Sequence, residues 1–332
     1  SVRALAAGGI AVIFISHRIK EVMEVSDRIV VLRDGSLVYE AAAAETSVAV
    51  LAEKMVGREV GTVEARSGEN RSEETVLEVE NLWVDMPGET VRNVSFSVRR
   101  GEIFGIGGLA GQGKLGIPNG IMGLFPAGGR VVFEGTEIPL GSPKKTLDAG
   151  FAFVSEDRRG VGLLLEEPLD WNIVFTAMQN RNEYLKPWLG GLVLWRDDKA
   201  IAAAAREYVT SLDIKCTGVK QRAQELSGGN QQKVCLAKAF AARPRLLFVS
   251  EPTRGIDVGA KKLVLDTLRM HNEKYGTTIV MVSSELEELK SVCDRVAIVD
   301  EGRIAGILPP TAKAAEFGLL MAGKAGKDEN HA

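Results

Sequence analysis

The chain lacks any apolar run approaching the roughly 20 residues that a helix needs to cross a bilayer, which excludes a membrane-spanning helix. No stretch shows the pattern of a secretory signal. Cysteine is scarce: Cys216, Cys235 and Cys293 have no metal-type spacing, which excludes a disulfide framework and a zinc cluster. They read as small buried residues of a reduced, cytosolic protein. Charge of one sign is also missing. The net charge is −3, and the basic residues are scattered without a tail, so nothing marks a nucleic-acid partner. What is present is ordinary globular material: 332 residues, 45% of them hydrophobic, enough for one large domain or two smaller ones.

An internal repeat organises the chain. Residues 12–38 align with residues 279–305 without a gap, pairing Ser16 with Ser283, Glu21 with Glu288, Val25 with Val292, Asp27 with Asp294, Arg28 with Arg295 and Gly35 with Gly302. Each copy predicts a buried strand (Ala11–Ser16 in the first), a polar-faced helix and a short hairpin. The pattern predicts the end of one domain in residues 1–58, a linker over 59–75, a whole second copy over 76–323 and a disordered tail over 324–332. Ser1 aligns with Leu268, inside the second copy, so the chain is expected to be part of a longer tandem protein. A helix over about Ser47–Met55 should pack on the first domain's remnant. In the second domain, strands are predicted near 77–80, 94–98, 102–107, 246–250 and 278–283, a hairpin over 131–138, and helices over most of 165–215 with a loop around Leu185–Gly191. The sum is a mixed α/β sheet with flanking helices and a helical subdomain.

Two glycine-rich motifs carry the chemistry. Gly108-Leu109-Ala110-Gly111-Gln112-Gly113-Lys114 follows a strand and fits G-x-x-x-x-G-K, whose backbone N–H groups cradle phosphates while the lysine reaches the β- and γ-phosphates. A hydroxyl residue that ligates Mg²⁺ should come next. Here Leu115 and Gly116 follow, which favour neither metal binding nor helix continuation. About 113 residues downstream, Leu226-Ser227-Gly228-Gly229-Asn230-Gln231-Gln232-Lys233 opens a helix whose free N–H groups and dipole suit an anion, with Ser227 as a possible N-cap.

Together these segments resemble the ATP-binding cassette (ABC) ATPases, whose P-loop NTPase fold combines a mixed sheet, an antiparallel β subdomain and a helical signature subdomain. The second motif is similar to their signature, which one cassette of a head-to-tail dimer lends to its partner's ATP. Leu246–Glu251 resembles the Walker B strand. Ser250 stands where a Mg²⁺-associated Asp is expected, and Glu251 remains as the group that would orient or activate water. The resemblance implies further that Asp257 is the D-loop aspartate, that Glu156 in Ser155-Glu156-Asp157-Arg158-Arg159 holds the Q-loop position, and that His17 is an H-loop histidine replaced by Ser284 in the second copy. The position of the adenine-stacking aromatic falls near Met86, and Trp83 is out of register. Ser250 and Glu156 are the Mg²⁺-proximal residues, and no metal ligand is assigned.

The resemblance is most specific to ATPase subunits of bacterial simple-sugar importers of the ribose, galactose and arabinose class, with nucleoside and autoinducer importers as alternatives. It implies ATP and Mg²⁺ as cofactors and a peripheral place on the cytoplasmic face of the cell membrane. It implies two transmembrane permease subunits as partners, contacted around residues 156–185 with Trp171-Asn172-Ile173 at an edge, and a sugar-binding protein served indirectly. A second cassette-containing chain or a full-length partner is expected, and no nucleic acid. Sorted by shared site, His17 and the signature Ser227–Asn230 belong to one competent site. The loop Gly108–Lys114, Leu115, Glu156, Ser250, Glu251 and Ser284 belong to a degenerate one. A non-catalytic nucleotide clamp is the remaining reading, and the chain alone is expected to hydrolyse ATP weakly or not at all.

Overall fold

The computed structural model describes residues 2–16, 19–33, 36–47, 50–51, 54, 72–188, 193–256 and 258–323. His17, Asp257, most of the expected linker and the expected tail lie outside them. The chain divides into two compact units, residues 1–63 with 255–263, and residues 64–254 with 264–332.

In the first unit, helices α1 (Val2–Ala7) and α2 (Ile19–Val25) precede an antiparallel hairpin of β1 (Arg28–Arg33) and β2 (Ser36–Ala42). Ile29 and Val31 of β1 bury one face against Leu51, and Val22, Met23, Val38, Tyr39 and Ala43 pack around them. The helix expected over 47–55 is helical at the described residues 50, 51 and 54, and Leu51 supplies its core contact. The strand expected over Ala11–Ser16 does not form. These residues have no regular structure, and Ile13 and Ile15 are more than nine-tenths exposed. Their counterpart, Thr278–Val282, is a strand because Ile103–Gly107 and Leu246–Ser250 flank it on both sides. Those two flanking strands occur once in this sequence, so the repeated segment has apolar residues but no sheet to enter.

The second unit is built on a ten-stranded sheet. Its antiparallel part comprises β3 (Thr75–Val84), β4 (Val91–Arg99), β6 (Ala127–Phe133) and β7 (Thr136–Glu137). Its other part comprises β5 (Ile103–Gly107), β8 (Phe151–Val154), β11 (Leu246–Ser250), β12 (Thr278–Val282), β13 (Arg295–Asp300) and β14 (Arg303–Leu308). Here β13, β5, β12, β11 and β8 run parallel side by side, and β14 joins them to β4. Every residue of β5, β11 and β12 is buried, as expected of parallel strands covered on both faces. Phe96 stacks on Phe104 at 5.3 Å between ring centres, and Phe133 meets Phe151 edge-on at 4.8 Å. The short helices α3 (Gly116–Ile121) and α4 (Pro143–Asp148) follow β5 and β7.

The helical layer holds α5 (Leu169–Arg181), α6 (Asp198–Ser211) and α7 (Gly228–Ala241). The expected loop around 185–191 is instead an antiparallel hairpin, β9 (Leu185–Trp188) with β10 (Val193–Arg196). Its second strand is exposed throughout, so no buried face announces it in the sequence. Asn172 and Ile173 are buried. The Asn172 amide makes a two-way bond to Leu164, donating to its carbonyl (2.9 Å) and accepting from its N–H (2.8 Å). These two residues therefore build the subdomain rather than an edge for a partner, and of the three only Trp171 is half-exposed, beneath the Arg196 guanidinium. Cys235 and Cys293 are buried and Cys216 is half-buried, and all three are free. Burial pushes the Cys235 thiol up to about 12, so it stays protonated. The last helices are α8 (Val258–Tyr275), α9 (Leu286–Val292) and α10 (Ala314–Met321).

His271 on α8 lies between the rings of Phe240 (3.8 Å) and Tyr275 (4.8 Å), and burial holds its imidazole down at about 4. Below pH 6.5 the unfolded chain therefore binds a proton that the folded chain refuses. Stability should fall as pH drops from 6.5 towards 4, by about 1.4 kcal/mol per unit, and this component should level off below 4. Urea unfolding between pH 4 and 7 should show this slope reduced by one proton in His271→Leu.

Candidate functional site

Four neighbouring parallel strands deliver the predicted residues to one edge of the sheet. The segment Gly108–Lys114 leaves the carboxyl end of β5, Ser283-Ser284 that of β12, Glu251 that of β11 and Ser155-Glu156 that of β8. Ligands of open α/β sheets bind outside these strand ends, because the ladder consumes the backbone groups within. Glu251 adopts a left-handed backbone (φ 46°), and its N–H bonds to the Val282 carbonyl at 2.8 Å. A non-glycine residue held there is strained, a feature that concentrates at functional sites.

The loop after β5 is a closed cradle. Gly108 (φ 149°) and Gly113 (φ 98°) need backbone that side chains disfavour, and a Cβ on Gly113 would lie 2.6 Å from the Thr90 carbonyl. The Gln112 side chain accepts from the Glu301 N–H at 2.7 Å, and its carbonyl accepts from Gly302, which ties the loop to the β13–β14 turn. Lys114 is 1% exposed, and its ammonium donates to the Leu109 carbonyl at 3.1 Å. Leu109 and Ala110 are exposed at the rim. Gly116 opens α3 despite the poor propensity expected of it, because the Glu89 carbonyl occupies the place where a Cβ would stand. Leu115 packs against the sheet's core instead of offering a ligand.

Sequence reasoning missed the group that fills the cradle. The Glu89 carboxylate accepts from the N–H groups of Gly111 (2.9 Å), Gly113 (2.9 Å) and Leu115 (3.2 Å). Convergent backbone donors of this kind form an anion nest, so the loop has the donor set a phosphate requires. No sequence signal marks Glu89, because it meets the loop only through the pairing of β4 with its neighbours.

At the adjoining strand ends, Ser284 donates to the Glu251 carboxylate at 2.5 Å. Glu156 is half-buried and accepts from the Asn119 amide of α3 at 3.3 Å. Ser250 is fully buried, and its hydroxyl has no hydrogen-bond partner. A hard divalent cation seeks carboxylate and aligned oxygen ligands, and among the described residues no three acidic, His or Cys side chains converge on a point that could hold one. Leu115 offers such a cation no oxygen and Ser250 only a neutral hydroxyl, which leaves Glu156 and Glu251 as the carboxylates among the residues expected here. Glu288, also missed, is a buried carboxylate that accepts from Thr253 (2.5 Å) and Ser283 (3.0 Å), joining the segments that carry Glu251 and Ser284. Its signal was present: Ser16 and Glu21 repeat the Ser283–Glu288 spacing.

The signature residues stand apart on the helical layer. Ser227 occupies the N-cap position of α7, but its hydroxyl does not cap the helix; it accepts from the Asn230 amide at 3.0 Å. Asn230 in turn accepts from the Lys215 N–H at 2.9 Å. Gly228 and Gly229 form the first turn, half-exposed, with the forward N–H groups a helix start leaves over. Gln231 is buried and donates to the Ala223 carbonyl at 3.1 Å, which makes it a support for the turn.

The ABC transporter family profile matches residues 91–254. The chain carries an ABC transporter cassette. It is similar to the ribose import ATP-binding protein RbsA 3 of Rubrobacter xylanophilus, 38% identical over 308 residues, covering 92% of this chain and 59% of that protein. It is 36% identical over 324 residues to RbsA 2 of Rhizobium etli, covering 97% and 61% respectively. The chain thus spans about three-fifths of the length of the curated relatives it matches. Among solved structures, a dimeric post-hydrolysis cassette bound to ADP and phosphate superimposes with a TM-score of 0.59 at 20% identity, over 71% of this chain and all of that one. A nucleotide-free cassette from an ABC transporter gives 0.59 at 22% identity, over 75% and 95%. These likenesses establish the P-loop NTPase fold of the cassette.

Removing the Glu288 carboxylate should loosen the strand-end loops of the cassette. Glu288→Ala leaves the buried Thr253 hydroxyl without its acceptor, at about 1–3 kcal/mol, and takes from Ser283 the group it donates to while its bond from the Glu285 N–H remains. Urea unfolding should register that loss, with Glu288→Gln losing less than half as much. A loss under about 0.5 kcal/mol in both variants would show that this contact holds nothing.

Proposed function

We propose that the chain is part of the ATP-binding subunit of an importer for a simple sugar, and that its cassette serves two unequal ATP sites. The observation that supports this reading is a contrast within the cassette: Gly228 and Gly229 open α7 half-exposed, while Leu115 is packed into the core and Ser250 is buried where the family resemblance expects groups that serve Mg²⁺. The curated relatives are named as ribose import proteins, which supports the sugar class. In this reading the signature closes over ATP held by a first cassette, whose H-loop histidine is His17. Mg²⁺, where bound, would be held by that first cassette and would offset charge on the phosphates. Asp257 crosses the cassette interface as the D-loop aspartate.

The second site, at Gly108–Lys114 with Glu156, Glu251 and Ser284, holds nucleotide statically or turns it over slowly. Serine in place of the H-loop histidine removes a donor to the transferring phosphate, and losing one such donor costs roughly 3 kcal/mol. Glu251 has its carboxylate engaged by Ser284. ATP binding would close the paired cassettes and switch two membrane permease subunits, and hydrolysis at the first site would reset them. A sugar-binding protein would deliver the cargo to the permease on the far side of the membrane. No described helix is long and apolar enough to cross a membrane, in keeping with a peripheral subunit.

The test is ATPase activity in a protein carrying this chain behind a complete first cassette. Ser227→Arg should abolish turnover, His17→Ala should reduce it by two to three orders of magnitude, and Lys114→Ala should reduce it less than tenfold. If Lys114→Ala is the fatal change and His17→Ala is silent, the assignment of the two sites is inverted.

A further inference from the structure

We infer that Glu89 is an internal competitor for phosphate: its carboxylate occupies the cradle of Gly108–Lys114, and nucleotide enters only when that side chain swings out. The inference rests on reading this loop as a nucleotide site, and it adds the group that regulates it. Both carboxylate oxygens are used. One accepts from Gly111, the other from Gly113 and Leu115, so alternate N–H groups of the loop converge on one anion. Glu89 is 8% exposed, and among the described residues no Lys or Arg side chain pairs with it. The loop's own lysine is turned to the Leu109 carbonyl instead. The backbone dipoles of the loop are therefore what stabilises the buried charge, and they are the dipoles a phosphate would need.

The backbone beneath Glu89 is fixed. Its N–H bonds to the Met86 carbonyl at 3.0 Å, the Thr90 hydroxyl donates to the same carbonyl, and the backbones of Gly113 and Gly302 pack so near the Thr90 carbonyl that a Cβ on either would lie within 2.7 Å of it. The segment cannot withdraw as a whole, so release is a side-chain rotation of Glu89 alone. A site open only a fraction of the time binds with an apparent affinity reduced by that fraction. A carboxylate with three N–H partners that is displaced between about 1% and 10% of the time would weaken nucleotide binding roughly ten- to hundredfold.

The experiment is a titration of ADP into the 332-residue chain, followed by calorimetry. Glu89→Ala should bind ADP at least about tenfold more tightly than the unaltered chain, with Glu89→Gln between them, and adding Lys114→Ala to Glu89→Ala should cancel the gain. Equal or weaker binding by a folded Glu89→Ala, or no binding by either protein, overturns the inference. Hydrogen exchange of the unaltered chain gives an independent reading that needs no variant: without nucleotide, the amides of Gly111, Gly113 and Leu115 should be protected, and fast exchange there overturns it as well. If Lys114→Ala abolishes ADP binding while Glu89 substitutions change nothing, the competitor falls and the nucleotide site stands. If ADP binds and neither Lys114→Ala nor Glu89→Ala alters it, the assignment of the site itself fails.

Discussion

The parallel strands β5, β12 and β11 are buried along their whole length, and that burial dictates where chemistry can occur. Their backbone groups are consumed by the ladder and their side chains by packing, so polar function is confined to the segments that leave their carboxyl ends. The constraint extends to the helix behind them. Cβ atoms on Gly105 and Gly107 would collide with Cys293 and Leu289, so the absence of side chains on β5 lets α9 lie close. That closeness sets Glu288, near the start of α9, between Thr253 and Ser283. A packing requirement in the sheet thus determines the relative placement of Glu251 and Ser284.

The same edge has an electrostatic requirement. Three N–H groups of the phosphate loop converge, and their dipoles need an anion wherever water is kept out. A cassette that turns over ATP satisfies them with phosphate and surrounds that phosphate with a metal ligand after the lysine, an aspartate at the end of the Walker B strand and a histidine after β12. On the reading proposed above, this chain has Leu115, Ser250 and Ser284 at those positions, and its loop N–H groups are met by the Glu89 carboxylate. On that reading the three residues share a direction: each lacks a group that would bind the transferring phosphate or its metal. The Ser250 hydroxyl is fully buried and has no hydrogen-bond partner.

Much of this was legible in the residues. Periodicity and turn chemistry located the strands around 246–250 and 278–283 and the hairpin over 131–138, because a strand flanked by glycine or proline turns writes its own boundaries. The turn after β5 and the helix start at Gly228 were legible because both depend on glycine at fixed spacing. The exposed ribbon β9–β10 was not, since a strand without a buried face carries no alternation. Ala11–Ser16 misled for the opposite reason: its apolar pattern is that of a strand, but pairing needs neighbours that this sequence holds only once. Glu89 was invisible in principle, being brought to the loop by tertiary pairing. Glu288 was visible in the repeat but had no role until the sheet placed Thr253 beside it.

The division of labour proposed for the cassette has a physical basis in how its two halves are held. The signature turn is fixed within the helical layer, where Asn230 links Ser227 to the chain at Lys215 and Gln231 anchors to Ala223. Its support comes from the segment between α6 and α7, and among the described residues no hydrogen bond or ion pair runs from Ser227–Asn230 to the phosphate loop. Substitutions at the strand ends therefore leave the signature's geometry untouched, and a cassette can lose its metal positions while still presenting a sound helix terminus to a partner's ATP. On the proposed reading the reverse loss is not equivalent. A side chain in place of Gly228 or Gly229 would then stand between the first turn of α7 and the partner's phosphate. Such a change would disable the partner's site while sparing the loop that Glu89 already occupies. Selection for turnover at one site of the pair would thus hold the glycines of the signature more firmly than the ligands at the strand ends.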